Sequence, residues 1–203
     1  MWNWSGLRVM RKRAVVAGIV VVVGIMAFGA AASKGGEPLH ETIEWIGLIL
    51  IVTCMLGRTW CSIYIGGKKN AALTRIGPYS ICRNPLYFFS TLGAAGVGAQ
   101  IGSVTVMIVC GLFTWVVQFW LVLQEEKYLA AKFGKPYRDY CARVPRFIPR
   151  PWLWHGPDLL EIRVSRVVRT FLDACLFLLA VPWAETYEYL QNAGYIPVYF
   201  HLF

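Results

Sequence analysis

Apolar runs of membrane-spanning length alternate with polar and turn-rich segments along this chain. About 20 apolar residues in a helix cross the ~30 Å hydrocarbon core of a bilayer. Five apolar segments approach that length, at 14–32, 43–65, 86–99, 104–123 and 167–190. The third is short, and residues 100–103 separate it from the fourth as a tight turn, which predicts a helical hairpin. The pattern predicts an all-α, polytopic transmembrane protein with about five membrane segments.

The first apolar segment has the position of a secretory signal peptide, because four basic residues precede it. Its apolar core is too long for the hydrophobic region of such a peptide, and residues 34–38 make a poor cleavage site. We therefore interpret it as a retained first helix.

The segments divide the chain into three parts of a single membrane domain, residues 1–203. Residues 1–65 are predicted to form an N-terminal transmembrane pair, and residues 66–150 a central core that contains the hairpin. Residues 151–203 are predicted to form a C-terminal tail, in which Pro182 and Glu185 leave the outer end of the fifth segment open.

The distribution of charge predicts the orientation of the segments. Of the 203 residues, 57% are hydrophobic and only 15% are charged, against about a quarter in soluble domains. Four Lys and Arg residues precede the first segment, four lie in 66–85 and ten in 125–170, whereas 100–103 has none. The positive-inside rule therefore places the N-terminus, 66–85 and 125–165 in the cytoplasm, at the inner membrane if the source is bacterial. Topology and anionic lipids account for the net charge of +9 and indicate no nucleic-acid partner.

The cysteine and histidine residues give no sign of a metal site. None of the six cysteines forms a C-x-x-C pair, and most lie in or beside apolar segments, as small buried hydrophobes do. The three histidines are far apart and match no metal-ligand spacing. We expect no metal.

Two informative polar stretches flank the predicted hairpin. They are residues 71–87, AALTRIGPYSICRNPLY, and residues 124–149, QEEKYLAAKFGKPYRDYCARVPRFIP. Because the hairpin folds back on itself, we expect both to meet at one face of the membrane.

The first stretch carries two proline-fixed turns. Pro78 and Pro85 lack backbone N–H groups and are predicted to restrict Gly77 and Asn84 to extended conformations, so the chain between them is not one regular helix. Irregular backbone at this depth is tolerated where protein buries it or a ligand uses it. The alternative is an ordinary connecting loop whose arginines anchor it to lipid head groups.

The second stretch begins with two carboxylates, Glu125 and Glu126, directly after the apolar run. Apolar residues then recur every three to four positions, so the helix is predicted to continue past the bilayer and to break near 134–136. The two carboxylates are either the solvated end of a helix or partners of a cation.

Arg58 is a charged residue inside the second apolar segment, and it either faces a cavity or extends to the interface.

Both stretches resemble one enzyme family. GPYSICRNPLY resembles the G-x-Y-x-x-x-R-[HN]-P-x-Y stretch of the isoprenylcysteine carboxyl methyltransferase and phospholipid methyltransferase superfamily of integral membrane enzymes. EEKYLAAKFGKPYRDYCARVPRFIP resembles the E-E-x-x-L-x-x-x-F-G-x-x-Y-x-x-Y-x-x-x-V-x-x-x-[IL]-P stretch of the same superfamily. The resemblance covers about residues 71–149.

The resemblance implies S-adenosylmethionine as the cofactor, bound at the cytoplasmic face. It places Glu125 on the methionine ammonium of the cofactor, while Arg83 would meet its carboxylate. The implied cofactor-binding residues are Ala71, Ala72, Leu73, Thr74, Tyr79, Arg83, Asn84, Pro85, Leu86, Tyr87 and Glu125. For an acceptor that must lose a proton, the candidate bases are Glu126, Tyr137 and Tyr140, and Arg58 would line the substrate or cofactor cavity.

The implied activity is methyl transfer to a lipid or lipidated acceptor that enters from the membrane, as in isoprenylcysteine carboxyl O-methylation. Two positions depart from the eukaryotic isoprenylcysteine pattern. Asn84 replaces a common histidine, and Leu121 replaces an arginine that contacts the substrate. N-methylation of a phospholipid amine, or a non-catalytic role on the same fold, are the alternatives.

Overall fold

A computed structural model describes residues 29–31, 38–65, 73–195 and 200–202. The helices are α1 Pro38–Ile65, α2 Pro78–Ile81, α3 Pro85–Ala99, α4 Val104–Phe133, α5 Lys135–Arg143, α6 Val164–Cys175 and α7 Ala180–Asn192. Single 3₁₀ turns form at Pro151–Leu153 and Leu176–Leu179. Two three-residue strands, β1 Gly29–Ala31 and β2 Phe200–Leu202, pair in parallel with Gly29 opposite Phe200. Helices thus make up nearly all regular structure in these ranges, which confirms the predicted class.

Three stretches of the described residues are long and apolar enough to cross a membrane: Pro38–Ile65, Val104–Phe133 and Val164–Gln191. The last takes in α6, the second 3₁₀ turn and most of α7. Helix α3, with 15 residues, is shorter than a span, as its sequence indicates. The predicted first segment, 14–32, lies outside the described residues except for Gly29–Ala31, which form a strand. About five segments is therefore more than the described ranges contain.

Large apolar side chains cover the outer faces of the long helices. On α1, Leu39, Trp45, Ile49 and Leu56 are all more than 60% exposed, while Ile51 is fully buried. In water such a surface would be unfavourable, but lipid solvates it without cost, and the helical backbone satisfies its own hydrogen bonds. The exposure pattern therefore fits a membrane-embedded helix.

The described residues form two compact units, those within 1–53, 91–117 and 176–203, and those within 54–90 and 118–175. In the first unit, α1 and α3 approach backbone to backbone. A Cβ atom added to Gly96 would lie 2.6 Å from the carbonyl oxygen of Gly47. The Gln100 side-chain amide donates to the carbonyl oxygen of Glu44 at 3.0 Å, which ties the hairpin turn to α1. Small residues at helix contacts are typical of membrane helices, where close packing replaces the hydrophobic effect.

In the second unit, glycines set where two of the helices begin. The predicted break near 134–136 is confirmed, because α4 ends at Phe133, Gly134 has φ 59°, and α5 begins at Lys135. The two-proline stretch also breaks as predicted, into α2 and the separate start of α3 at Pro85. The expectation of an extended Gly77 was wrong. Its φ of 59° and ψ of −134° are the mirror image of the extended region, and the ring of Tyr64 fills the space that a Cβ would need.

Candidate functional site

Backbone hydrogen bonds join the two polar stretches and the segment that follows them. The N–H groups of Gly77 and Arg83 donate to the carbonyl oxygens of His155 and Pro145, each at 2.8 Å. In the opposite direction, the N–H of Arg150 donates to the carbonyl oxygen of Ile81 at 2.9 Å. Residues 77–84 are thus held along 145–155, and the predicted meeting of the two stretches is confirmed.

Side chains reinforce this connection. The Tyr140 hydroxyl on α5 donates to the carbonyl oxygen of Tyr79 at 2.6 Å, and the Asn84 amide donates to that of Arg146 at 3.2 Å. The Cys82 thiol donates to the carbonyl oxygen of Phe147 at 3.1 Å. Irregular backbone here is therefore satisfied by protein groups from distant parts of the sequence.

Glu126 lies between two arginines. One carboxylate oxygen is 3.0 Å from Nη1 of Arg83, and the other is 2.8 Å from Nη2 of Arg146. Nε of Arg146 also donates to both oxygens at 3.1 Å, and these bonds raise the pKa of the guanidinium above its ordinary value. The side chains of Glu126 and Arg83 are each only 13% exposed, so this group, Glu126 with Arg83 and Arg146, is a largely desolvated charge cluster.

Glu125 has a different environment from its neighbour. Adjacent residues project about 100° apart around a helix, so the two carboxylates face different surroundings. Glu125 is half-buried and makes no hydrogen bond or ion pair with any residue that the structure describes. Its charge acts on Tyr79, and together with burial, the larger cause, it raises the pKa of that phenol well above its ordinary value. Glu125 therefore lies within electrostatic reach of Tyr79.

Among the described residues of the second unit, three buried donor atoms lack a hydrogen-bond acceptor. They are the hydroxyl of Tyr79 and the Nε atoms of Arg83 and Arg58. Arg58 does bond through Nη1 to the hydroxyl of Ser90. Native proteins seldom leave buried donors unpaired, and each such atom calls for an explanation such as a bound ligand.

Burial raises the pKa of three further groups in this unit. It raises the pKa of Tyr137 and Tyr140 above their ordinary value, and raises that of Cys82 to about 12. Phenols and thiols are protonated at neutral pH in any case, and the raised pKa keeps these three protonated well into alkali.

Comparison with known proteins identifies the family. A model of the phospholipid methyltransferase family matches residues 42–136. The cobalt-zinc-cadmium resistance protein CzcN of Cupriavidus metallidurans is 33% identical over 178 residues, which are 87% of this chain and 81% of that protein. This chain belongs to the phospholipid methyltransferase family of integral membrane methyltransferases.

Another relative is the nickel-cobalt-cadmium resistance protein NccN of Alcaligenes xylosoxydans xylosoxydans. It is 28% identical over 182 residues, which cover 89% of this chain and 85% of that protein. No solved structure matches the chain. The phospholipid methyltransferase match ends at residue 136, before the segment 145–155 that hydrogen-bonds the loop.

The residues implied by the resemblance fall into three groups. Ala71 and Ala72 lie outside the described residues. Tyr79, Arg83, Glu125 and Glu126 come together as described above. The remaining implied residues lie around them: Leu73 packs on Tyr137 and Tyr140, Thr74 is half-buried, Asn84 bonds to Arg146, and Pro85, Leu86 and Tyr87 form the first turn of α3.

The sequence analysis did not single out Arg146. It lies in the second family stretch, between Val144 and Ile148 and three residues after the end of α5, and it pairs with Glu126 of α4. Its position in that stretch is the sequence feature that could have identified it. Ser90, which binds Arg58, was missed as well, because a serine in an apolar helix carries no specific pattern.

Proposed function

We propose that this protein is an S-adenosylmethionine-dependent methyltransferase that acts on a lipid-embedded acceptor. The observation that carries the proposal is a set of groups without partners among the described residues: the carboxylate of Glu125, the buried hydroxyl of Tyr79 within its electrostatic reach, and the buried Nε of Arg83. The cofactor carries an ammonium, a carboxylate and a sulfonium. It therefore offers a cation for Glu125 and hydrogen-bond acceptors for Tyr79 and Arg83. Charge-assisted hydrogen bonds of this kind are the strong ones.

In this proposal, Glu125 binds the ammonium of the cofactor and Nε of Arg83 binds its carboxylate. Glu126 acts as a positioning residue, because it and Arg146 fix the guanidinium of Arg83. The faces of Tyr79 and Tyr87 suit the adenine ring or the sulfonium. The backbone of 71–74 and the turn at 84–86 complete the implied contacts.

The bound cofactor supplies an already activated methyl group, so the protein needs chiefly to orient the partners and exclude water. Arg58 would line the cavity, where its free Nε is available to a polar acceptor group. The half-buried position of Glu125 fits a site that is screened from water but reachable.

We infer that the acceptor is a carboxylate, as in isoprenylcysteine-type O-methylation. A carboxylate needs no general base, and the candidate bases are poorly suited to act as one. Glu126 already accepts from two guanidiniums, and burial keeps Tyr137 and Tyr140 protonated. Leu121, where the eukaryotic pattern has an arginine, is apolar and only 5% exposed. The acceptor's carboxylate therefore needs another cationic partner, and Arg58 is the candidate.

N-methylation of a phospholipid amine is the second candidate, and the match to the phospholipid methyltransferase model favours it. Membranes incubated with the methyl-labelled cofactor distinguish the two, since a methyl ester releases methanol in base and an N-methyl group does not. Both relatives are named for resistance to divalent metals, and we infer that methylation by this chain contributes to such tolerance.

Binding of S-adenosylhomocysteine to the purified protein, measured by calorimetry, tests the cofactor site. Glu125→Gln removes the partner of the ammonium and should weaken binding by about 10- to 100-fold. Tyr79→Phe should weaken it to a smaller extent. Glu161→Gln, a change of an exposed carboxylate in the same unit, should leave it unchanged. Equal affinity in all four proteins would refute the site.

A further inference from the structure

Three potential metal ligands converge in the first unit. His40 and Glu44 lie one turn apart on α1, and Glu188 comes from α7. Nε2 of His40 is 3.3 Å from Oε1 of Glu44 and 3.8 Å from Oε2 of Glu188. One ligand atom from each residue lies within 4.8 Å of the other two.

The imidazole is held in place by its surroundings. The side chain of His40 is 6% exposed, and its ring occupies the space that a Cβ on Gly102 would need. Gly102 has a φ of 71°, so the turn is shaped around the ring. The bond from Gln100 to the carbonyl oxygen of Glu44 fixes the same turn of α1. Such support orients a metal-ligating side chain before the metal binds.

The local charge is strongly negative. Glu44 and Glu188 lie against the imidazole of His40, and both Glu188 and Glu185 act electrostatically on Glu44. Like charges at the edge of an apolar span repel each other and lose hydration, which makes a compensating cation favourable.

We propose that His40, Glu44 and Glu188 bind a divalent transition-metal cation of the Zn²⁺ or Co²⁺ class. Nitrogen and oxygen donors of this kind suit such cations. Metal–ligand bonds of about 2.0–2.2 Å in a tetrahedron place the ligand atoms roughly 3.3–3.6 Å apart. The distances of 3.3 and 3.8 Å need only a small adjustment, and three protein ligands leave a position for water.

The competing interpretation is a protonated His40 that pairs with both carboxylates without a metal. The sequence analysis expected no metal, because the histidines match no metal-ligand spacing and the cysteines form no C-x-x-C pair. The two interpretations differ in whether the site takes up Co²⁺ at neutral pH.

The test uses purified full-length protein without an affinity tag. Wild type should bind one Co²⁺ per chain with the visible absorption of a tetrahedral site, and Zn²⁺ should displace it. His40→Ala and Glu188→Gln should each weaken binding at least about tenfold, the usual size of the loss of a metal ligand or its support. Glu41→Gln, an exposed carboxylate beside His40, and His155→Ala should bind as wild type does.

Thermal unfolding provides a second readout if His40→Ala folds poorly. Zn²⁺ should raise the melting temperature of wild type and Glu41→Gln but not of Glu188→Gln. Absence of the Co²⁺ spectrum in wild type, or an unchanged affinity for Co²⁺ in Glu188→Gln, would overturn the proposal and favour the protonated imidazole. Neither measurement involves the methyl donor, so the result is independent of the proposed activity.

Discussion

Glu126 and Arg83 form an ion pair of 3.0 Å in which both side chains are largely buried. Glu126→Gln keeps the shape of the side chain but removes its charge, so Arg83 is left without its counter-ion. We expect the free energy of unfolding to fall by roughly 3–5 kcal/mol. Unfolding by sodium dodecyl sulfate in mixed micelles measures this change.

The adjacent exposed Lys127 offers the control. Lys127→Gln alters the charge of the same helix turn without a buried partner, and its effect should stay within about 0.5 kcal/mol. An equal loss in both variants would mean that the pairing of Glu126 contributes nothing specific.

Tyr140→Phe tests the hydrogen bond that joins α5 to the loop. The hydroxyl donates to the carbonyl oxygen of Tyr79 at 2.6 Å in a buried setting, so its removal should cost about 1–3 kcal/mol. Tyr189→Phe, at a tyrosine that is 69% exposed, should have little effect. Thermal unfolding of the two variants, measured side by side, gives the comparison.

The raised pKa of the Cys82 thiol predicts that the protein loses stability in alkali. Burial raises the pKa of the Cys82 thiol from 9.0 to about 12. Below pH 9 the thiol is protonated in both the folded and the unfolded chain, so its contribution is fully present. As the pH rises from about 9 towards 12, the unfolded chain ionises first and stability falls. Melting temperatures across this range should decline less steeply in Cys82→Ala, and parallel curves would contradict this assignment.

Replacement by alanine should lower the stability of the protein at Gly96 but not at Gly111. At Gly96 the added methyl group meets the backbone of Gly47, which no side-chain rotation relieves, so we expect a cost of about 1–3 kcal/mol. At Gly111 the nearest atom is the Cβ of Ala95 at 3.3 Å, and a gain of about 1 kcal/mol in helix propensity offsets the tighter contact. Unfolding in mixed micelles should rank the variants in this order, and a Gly96→Ala protein as stable as wild type would refute the close helix contact.

The charge pattern predicts the orientation of α4. Lys127 and Thr105 are exposed near its two ends. If the positive-inside rule holds, an impermeant maleimide labels Lys127→Cys in inverted vesicles and Thr105→Cys in intact cells. Peptide mapping separates these labels from the native cysteines. The reverse pattern would place the candidate cofactor site on the outer side.

Local rules predicted the hairpin and the break at Gly134, because hydrophobic length, proline and glycine act over a few residues. The meeting of 71–87 with 124–149 followed from the hairpin alone. Which carboxylate of the Glu125 and Glu126 pair binds the arginines did not follow, since that depends on the rotation of α4 against the loop. The positive φ of Gly77 depends on the ring of Tyr64, which no local pattern reveals.

The grouping of His40, Glu44 and Glu188 shows a second limit of prediction from the sequence. An imidazole and a carboxylate four residues apart predict a shared helix face, but only the return of α7 brings the third ligand. Contacts between α1 and α7 carry no periodic signal, so they appear only once the chain is folded.

The hydrogen bonds between 77–84 and 145–155 have a consequence for biosynthesis. Translation delivers Gly77 and Arg83 to the membrane well before the ribosome has made Pro145 and His155, whose carbonyl oxygens accept from them. Until then the backbone of the loop depends on water or on the insertion machinery for its hydrogen bonds. The hairpin is therefore inserted first, and the loop closes only after residue 155 has left the ribosome.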